Sequence, residues 1–207
     1  MRVAVLLIFF AVTVVACAEG KDVITNVAEL ANASQTKHPD GRPFDIYGTV
    51  VFFSYPSDTN SVLTIMSGND IVRVNERVRD TRLPISVGDI VRVRGTTRLK
   101  GSKFLANYDS IERMGWSVRP KRIDVDEYFS GTNMNKFVEI RGIVQDAFPD
   151  ESDSHWHYLT LYCNGRAVYA MAFINDSDFD NAEDLIGREV AAWGVIAPAT
   201  TSLRKHT

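Results

Sequence analysis

His155-Trp-His157 is the one cluster in the chain where metal chemistry could be sought. Two histidines at i and i+2 on a strand share a face, and imidazole pairs suit Zn2+ or Cu2+. Asp150, Glu151 and Asp153 lie close by, but the spacing fixes no third ligand. The reading adopted is a polar hairpin tip around a half-buried Trp156, with no metal and no cofactor. The carboxylates of Asp176 to Asp184 lack the glycine and the terminal glutamate of a calcium loop, so they read as the polar face and cap of a short helix. No Gly-x-Ser-x-Gly, phosphate-binding glycine loop or Cys–His pair occurs. Asn32-Ala-Ser34 and Asn175-Asp-Ser177 match the glycosylation sequon, which matters only in a eukaryotic secretory setting. No catalytic residue is assigned, and the chain is not expected to be an enzyme.

A second constellation points to binding. Phe52, Tyr55, Arg73, Arg92 and Arg94 are the candidate ligand residues, with Phe53, Phe104, Arg98, Lys100 and Lys103 around them. Aromatic rings interleaved with cations can stack on a ligand and neutralise it. The plainer alternative is that the aromatics fill a barrel and the arginines solvate its outside.

The elements that carry these residues are written twice. Phe44-Asp-Ile-Tyr-Gly-Thr-Val-Val51 returns as Val138-Glu-Ile-Arg-Gly-Ile-Val-Gln145, and Leu63-Thr-Ile-Met as Leu159-Thr-Leu-Tyr. Ile71-Val-Arg-Val returns as Ala167-Val-Tyr-Ala, and Val87-Gly-Asp-Ile-Val-Arg-Val-Arg-Gly95 as Ile186-Gly-Arg-Glu-Val-Ala-Ala-Trp-Gly194. The offset, about 93 to 99 residues, is that of a small domain and not of a solenoid repeat.

In the first copy, alternation predicts a long strand from Phe44 to Phe53, a turn over Pro56 to Ser61, and strands at Val62 to Met66 and Ile71 to Val74. A polar connection from Asn75 to Ile85 follows, then strands at Asp89 to Thr97 and Phe104 to Arg113. Gly48 in mid-strand predicts a bulge or bend there. Five strands with a bent first strand describe a small Greek-key barrel of the OB type. Such barrels bind single-stranded nucleic acid or oligosaccharides, which is the use the aromatic and cationic strip would have.

The fold class predicted is all-β, with two tandem OB-like five-stranded barrels and short flanking helices. Residues 22–42 form a short helix, capped by Thr25 or Asn26, and a loop. Module 1 spans 43–115. Residues 116–135 hold a basic linker from Trp116 to Arg122 and a short acidic-capped helix ending at Gly131. Module 2 spans 136–207 and is expected to lack its last strand, because the residues after Pro198 show no strand alternation. A barrel left open exposes an edge and a core, so truncation of a longer protein is expected.

Residues 1–18 read as a signal peptide: Arg2 precedes an apolar run from Val3 to Val15, the length of a signal core and short for a bilayer span. Val14-Val-Ala-Cys17 looks like a lipobox, with Cys17 taking the lipid. Ala16-Cys-Ala18 also fits ordinary cleavage before Glu19, and an uncleaved anchor is a third reading. All three predict an exported protein, periplasmic or held at the outer side of a membrane. Cys163 then has no disulfide partner and reads as a small core residue.

Net charge is −3, but it divides sharply. Residues 41–122 carry fourteen Lys/Arg against eight Asp/Glu, and residues 123–207 six against fourteen, so the modules differ in sign.

The Val23-Ile-Thr-Asn-Val-Ala-Glu-Leu opening, Tyr47-Gly-Thr-Val, Val87-Gly-Asp-Ile-Val-Arg-Val-Arg-Gly and Phe137-Val-Glu-Ile-Arg-Gly-Ile-Val together resemble the extracytoplasmic input region of bacterial membrane sensor histidine kinases. The resemblance implies a sensory, ligand- or partner-binding role without catalysis. The kinase motifs and the second membrane segment of that family are absent from the chain. A stand-alone periplasmic OB-fold binding lipoprotein is the alternative. The expected partners are a small molecule, a glycan or a periplasmic protein, with attachment to a membrane by the lipid or by a missing downstream segment. Export argues against nucleic acid.

Overall fold

The alternation that begins at Phe44 becomes a twelve-residue strand, β1, Pro43–Ser54. A computed structural model describes residues 22–54, 62–76, 85–151, 156–173 and 182–197. Four further strands complete the first copy: β2 Val62–Ser67, β3 Asp70–Glu76, β4 Asp89–Lys100 and β5 Lys103–Ser117. They close into a barrel in the order β1-β2-β3-β5-β4. Closure needs both partners of β5, which runs antiparallel to β4 and parallel to the end of β3, where Asn75 faces Asn107. Ile46, Val50, Leu63, Ile65, Val74, Val91 and Val93 point inward and are wholly buried. Each contributes roughly 1.5–3 kcal/mol over its exposed state.

The bend in β1 is not at Gly48. The register slips between Val50 and Phe52, so Val51 is the bulged residue. Gly48 serves close approach instead: a Cβ there would meet the Ile65 side chain and lie 2.7 Å from the Met66 carbonyl oxygen.

Helix α1, Val27–Asn32, starts where Asn26 accepts the Glu29 N–H at 2.7 Å, and buries Val27 and Leu30 against the barrel. Just before it, Ile24 bridges to Phe44 in parallel. The same device returns before module 2. The expected linker is instead the end of β5 and a short strand β6, Lys121–Arg122, that runs parallel to β7, Phe137–Pro149. Ile123 is buried as Ile24 is, and α2, Val125–Phe129, opens on a capping box between Asp124 and Glu127. The repeating unit is therefore entry strand, capped helix and barrel.

Module 2 adds β8 Trp156–Cys163, β9 Arg166–Phe173 and β10 Glu189–Val195, with a 3-10 turn at Ala182–Leu185. Val144, Leu161 and Val168 form its centre, joined by Cys163 and by Ala182 and Leu185 of the turn. Its strands order as β10-β7-β8-β9, with β6 on β7, and the sheet stays open. Among the described residues nothing stands between β9 and β10, where β5 stands in module 1. The fold is all-β with two OB-like modules, the second open among the described residues. No helix among the described residues is long and apolar enough to cross a membrane.

Candidate nucleic-acid interface

Strand β4 alternates strictly, burying Val91, Val93, Gly95 and Thr97 and turning Arg92, Arg94, Thr96, Arg98 and Lys100 outward. Same-face residues on a strand recur every ~6.8 Å. One side of the barrel thus carries a ladder of four cations, and Lys103 stands opposite Lys100 across the β4–β5 turn.

The lower rungs are partly neutralised. Arg92 donates to Asp45 through Nε at 2.8 Å and Nη2 at 2.6 Å, and Arg94 reaches the same carboxylate at 3.4 Å. The Arg92 guanidinium also lies 5.2 Å from the centre of the half-exposed Tyr47 ring. The hydrogen bond from Arg92 holds the Asp45 carboxyl below the usual carboxylate range, against a smaller opposing effect of burial. The upper rungs differ. Arg98, Lys100 and Lys103 are exposed, and none of them takes an ion pair among the described residues.

The other expected ligand residues do not join this ladder. Arg73 is exposed on β3, separated from β4 by β5. Phe52 turns toward module 2 and stacks on Trp156, with centroids 5.0 Å apart and planes 14° apart. Phe53 and Phe104 pack against the module 1 core. Tyr55, Cys17 and His155 lie outside the described residues, as does the signal-peptide segment 1–18. His157 sits on β8 with its Nδ1 buried and unpartnered, and no group of three metal-binding side chains exists among the described residues. Cys163 is buried, and burial pushes its thiol pKa up.

A cavity of about 410 Å3 lies between the modules. Its walls include Val51, Phe52, Thr64 and Ile71 of module 1 and Val168, Ala170, Ala192 and Gly194 of module 2. Thr64 and Ile71 are outward-facing residues of β2 and β3, so module 2 roofs the outer face of these strands.

No family model and no curated protein matches the chain. Among solved structures, the chain is similar to the Stn1-Ten1 complex of S. pombe at 22% identity and a TM-score of 0.31, covering 36% of this chain and 59% of that one. It thus spans less than two thirds of that protein's length. It is similar to a replication protein A heterotrimer bound to ssDNA at 16% identity and a TM-score of 0.34, covering 50% and 85%. The telomere capping protein Ten1 of S. pombe matches at 18% identity and a TM-score of 0.28, covering 52% and 89%.

The expected kinship with sensor histidine kinase input regions is corrected by these findings. So are the sensory-input function, the periplasmic lipoprotein alternative and the choice of small molecule, glycan or periplasmic protein as partner. The physical reason lies in the motifs behind the resemblance. In Val87-Gly-Asp-Ile-Val-Arg-Val-Arg-Gly95, Gly88 has φ +96°, Ile90, Val91 and Val93 belong to the barrel strand, and Gly95 lets β5 cross. Such a run reports a barrel strand and its corners, not a lineage. The argument from export against nucleic acid also fails, because an address says nothing about a surface that carries unpaired cations.

Proposed function

We propose that the chain is a non-catalytic binding protein for single-stranded nucleic acid, held along the outside of β4 in module 1. The observation that carries this reading is the trio Arg98, Lys100 and Lys103, exposed and without ion pairs among the described residues, at the β4–β5 turn. OB barrels contact oligonucleotides through that turn. Phosphates would follow the cations, and the exposed face of Tyr47 offers a base a stacking surface at the Arg92 end. Acidic module 2 would repel a polyanion and confine it to module 1. With the export read from Val3 to Val15, the polymer met would be nucleic acid outside the cytoplasm.

Anisotropy of a labelled oligothymidylate, titrated with the full chain between about 50 and 200 mM salt, tests this. Affinity should fall linearly in the log–log plot. The triple variant Arg98→Ala, Lys100→Ala, Lys103→Ala should flatten the slope by about 2, since each single-strand phosphate contact contributes about 0.7. Equal slopes for both proteins, or no binding at low salt, would reduce the ladder to a solvated face.

A further inference from the structure

Phe52, Thr64 and Arg73 form one row across the outside of module 1. Register pairs Phe52 with Thr64 and Thr64 with Arg73, and cross-strand partners share a face. The row sets a flat ring at one end and a guanidinium at the other, with a hydroxyl between them. Arg73 is exposed and takes no ion pair among the described residues. Asp70 and Glu76 end the same strand, so the row offers one cation and no wider basic field. OB barrels meet oligonucleotides on the face of their second and third strands, and aromatic and cationic side chains there stack bases and hold phosphates.

In this structure a ring already lies on that stacking surface. The indole of Trp156, fused and flat like a purine, rests on Phe52 with centroids 5.0 Å and planes 14° apart. Trp156 opens one arm of a hairpin whose other arm reaches Asp150, and the Asp150 N–H donates to the Trp156 carbonyl at 2.7 Å. Glu151 and Asp153 follow Asp150 in the sequence. A flat ring beside carboxylates has the make-up of a base beside phosphates. Module 2 covers the neighbouring part of the face as well, since Thr64 and Ile71 share a cavity wall with Ala170 and Ala192. The modules differ in the sign of their charge, which favours closure. Trp156 and Phe52 belong to neither module's hydrophobic core, so their separation does not unpack a barrel.

We propose that module 2 autoinhibits module 1: Trp156 holds the place of a base on Phe52, and a single-stranded nucleic acid that displaces it gains Phe52, Thr64 and Arg73 as a second contact face. The inference rests on the nucleic-acid reading of module 1. Closed and open states stand in equilibrium, and the strand reaches this face in the open state alone. Its apparent affinity there is reduced by the open fraction.

Oligothymidylate binding by the full chain tests this in Trp156→Ala, Phe52→Ala and the parent. An aromatic pair contributes a factor of about 3 to 10, so Trp156→Ala should bind about 3- to 10-fold tighter. Its salt slope should steepen by about 0.7, the share of one single-strand phosphate contact, and adding Arg73→Ala should remove that increment. Phe52→Ala opens the modules equally but deletes the stacking surface, so it should bind no tighter than the parent. Trp156→Leu, apolar but without a flat ring, should act as Trp156→Ala does, which guards against misfolding of one variant. The gain should persist when Arg98, Lys100 and Lys103 are all replaced by alanine, so failure of the β4 ladder leaves this inference standing. Unchanged or weaker binding by Trp156→Ala overturns it and leaves the ladder in place. Equal tightening by Phe52→Ala and Trp156→Ala also overturns it, because withdrawal of the acidic module alone would then account for the gain. No binding by either the parent or Trp156→Ala overturns both readings.

Discussion

Phe52 of module 1 and Trp156 of module 2 lie face to face, their centroids 5.0 Å apart. The bulge at Val51 makes this possible, since the extra residue re-aims the strand just before Phe52. A ring that the sequence offered to a ligand is spent on joining the modules. Phe52→Ala and Trp156→Ala should therefore each loosen the junction, and a double-mutant cycle should return a coupling of about 1 kcal/mol. Thermal unfolding should split into two transitions in either variant. A single sharp transition with no coupling would mean that the stack contributes nothing.

The two related glycines should respond oppositely to the same methyl. In Gly95→Ala the obstructing atoms belong largely to the β5 backbone, which cannot step aside without opening the barrel. The expected cost is about 3 kcal/mol, at the upper end for an overpacked core. A Cβ on Gly194 meets nothing within 4 Å among the described residues, so Gly194→Ala should stay within about 0.5 kcal/mol of the parent. Denaturant midpoints of both variants at unchanged m-values measure this, and comparable losses would mean that Gly194 is also covered.

That asymmetry marks how far the sequence could be read. Alternation located every strand of module 1 that lies in the described residues, and the repeat located module 2, because period and spacing are local. The expected loss of a closing strand after Pro198 falls on residues outside the described ones. The repeat of Ile24 and α1 as Ile123 and α2 was missed. Its signal is a buried isoleucine, a capping residue and a glutamate at the third helical position; both helices are readable from the sequence, but the paired strand before the second one lies in the stretch read as a basic linker. The candidate strip failed as a single surface for another reason. Only barrel closure shows that Arg73 and Arg92 stand on different flanks, and that Phe52 faces the other module.

Cys163 gives a readout of module 2 alone. In a chain beginning at residue 22 it is the sole thiol. It is buried, and desolvation raises its pKa, so the reactive thiolate is scarce and inaccessible. Native protein should react with iodoacetamide only as fast as module 2 opens. Denatured protein should react at the rate of a free thiol. Prompt reaction in native buffer would show that the open edge already admits reagent to the core.

Asp45 sets how much charge the β4 ladder presents. Its folded pKa is lowered, chiefly by the Arg92 hydrogen bond, so its contribution to stability is present above the unfolded value of about 3.9 and is lost as pH falls through the folded pKa. Asp45→Asn should therefore be less stable than the parent at neutral pH, and the gap should close in acid. The same change should act in the other direction on binding. It releases Arg92 and Arg94 from a carboxylate that both contact, and it removes a negative charge beside a bound phosphate. The expected outcome at low salt is tighter oligothymidylate binding, by about 3-fold or more, in a protein that is measurably less stable. Weaker binding by Asp45→Asn would show that the carboxylate positions the two arginines for the polymer and does not merely compete for them.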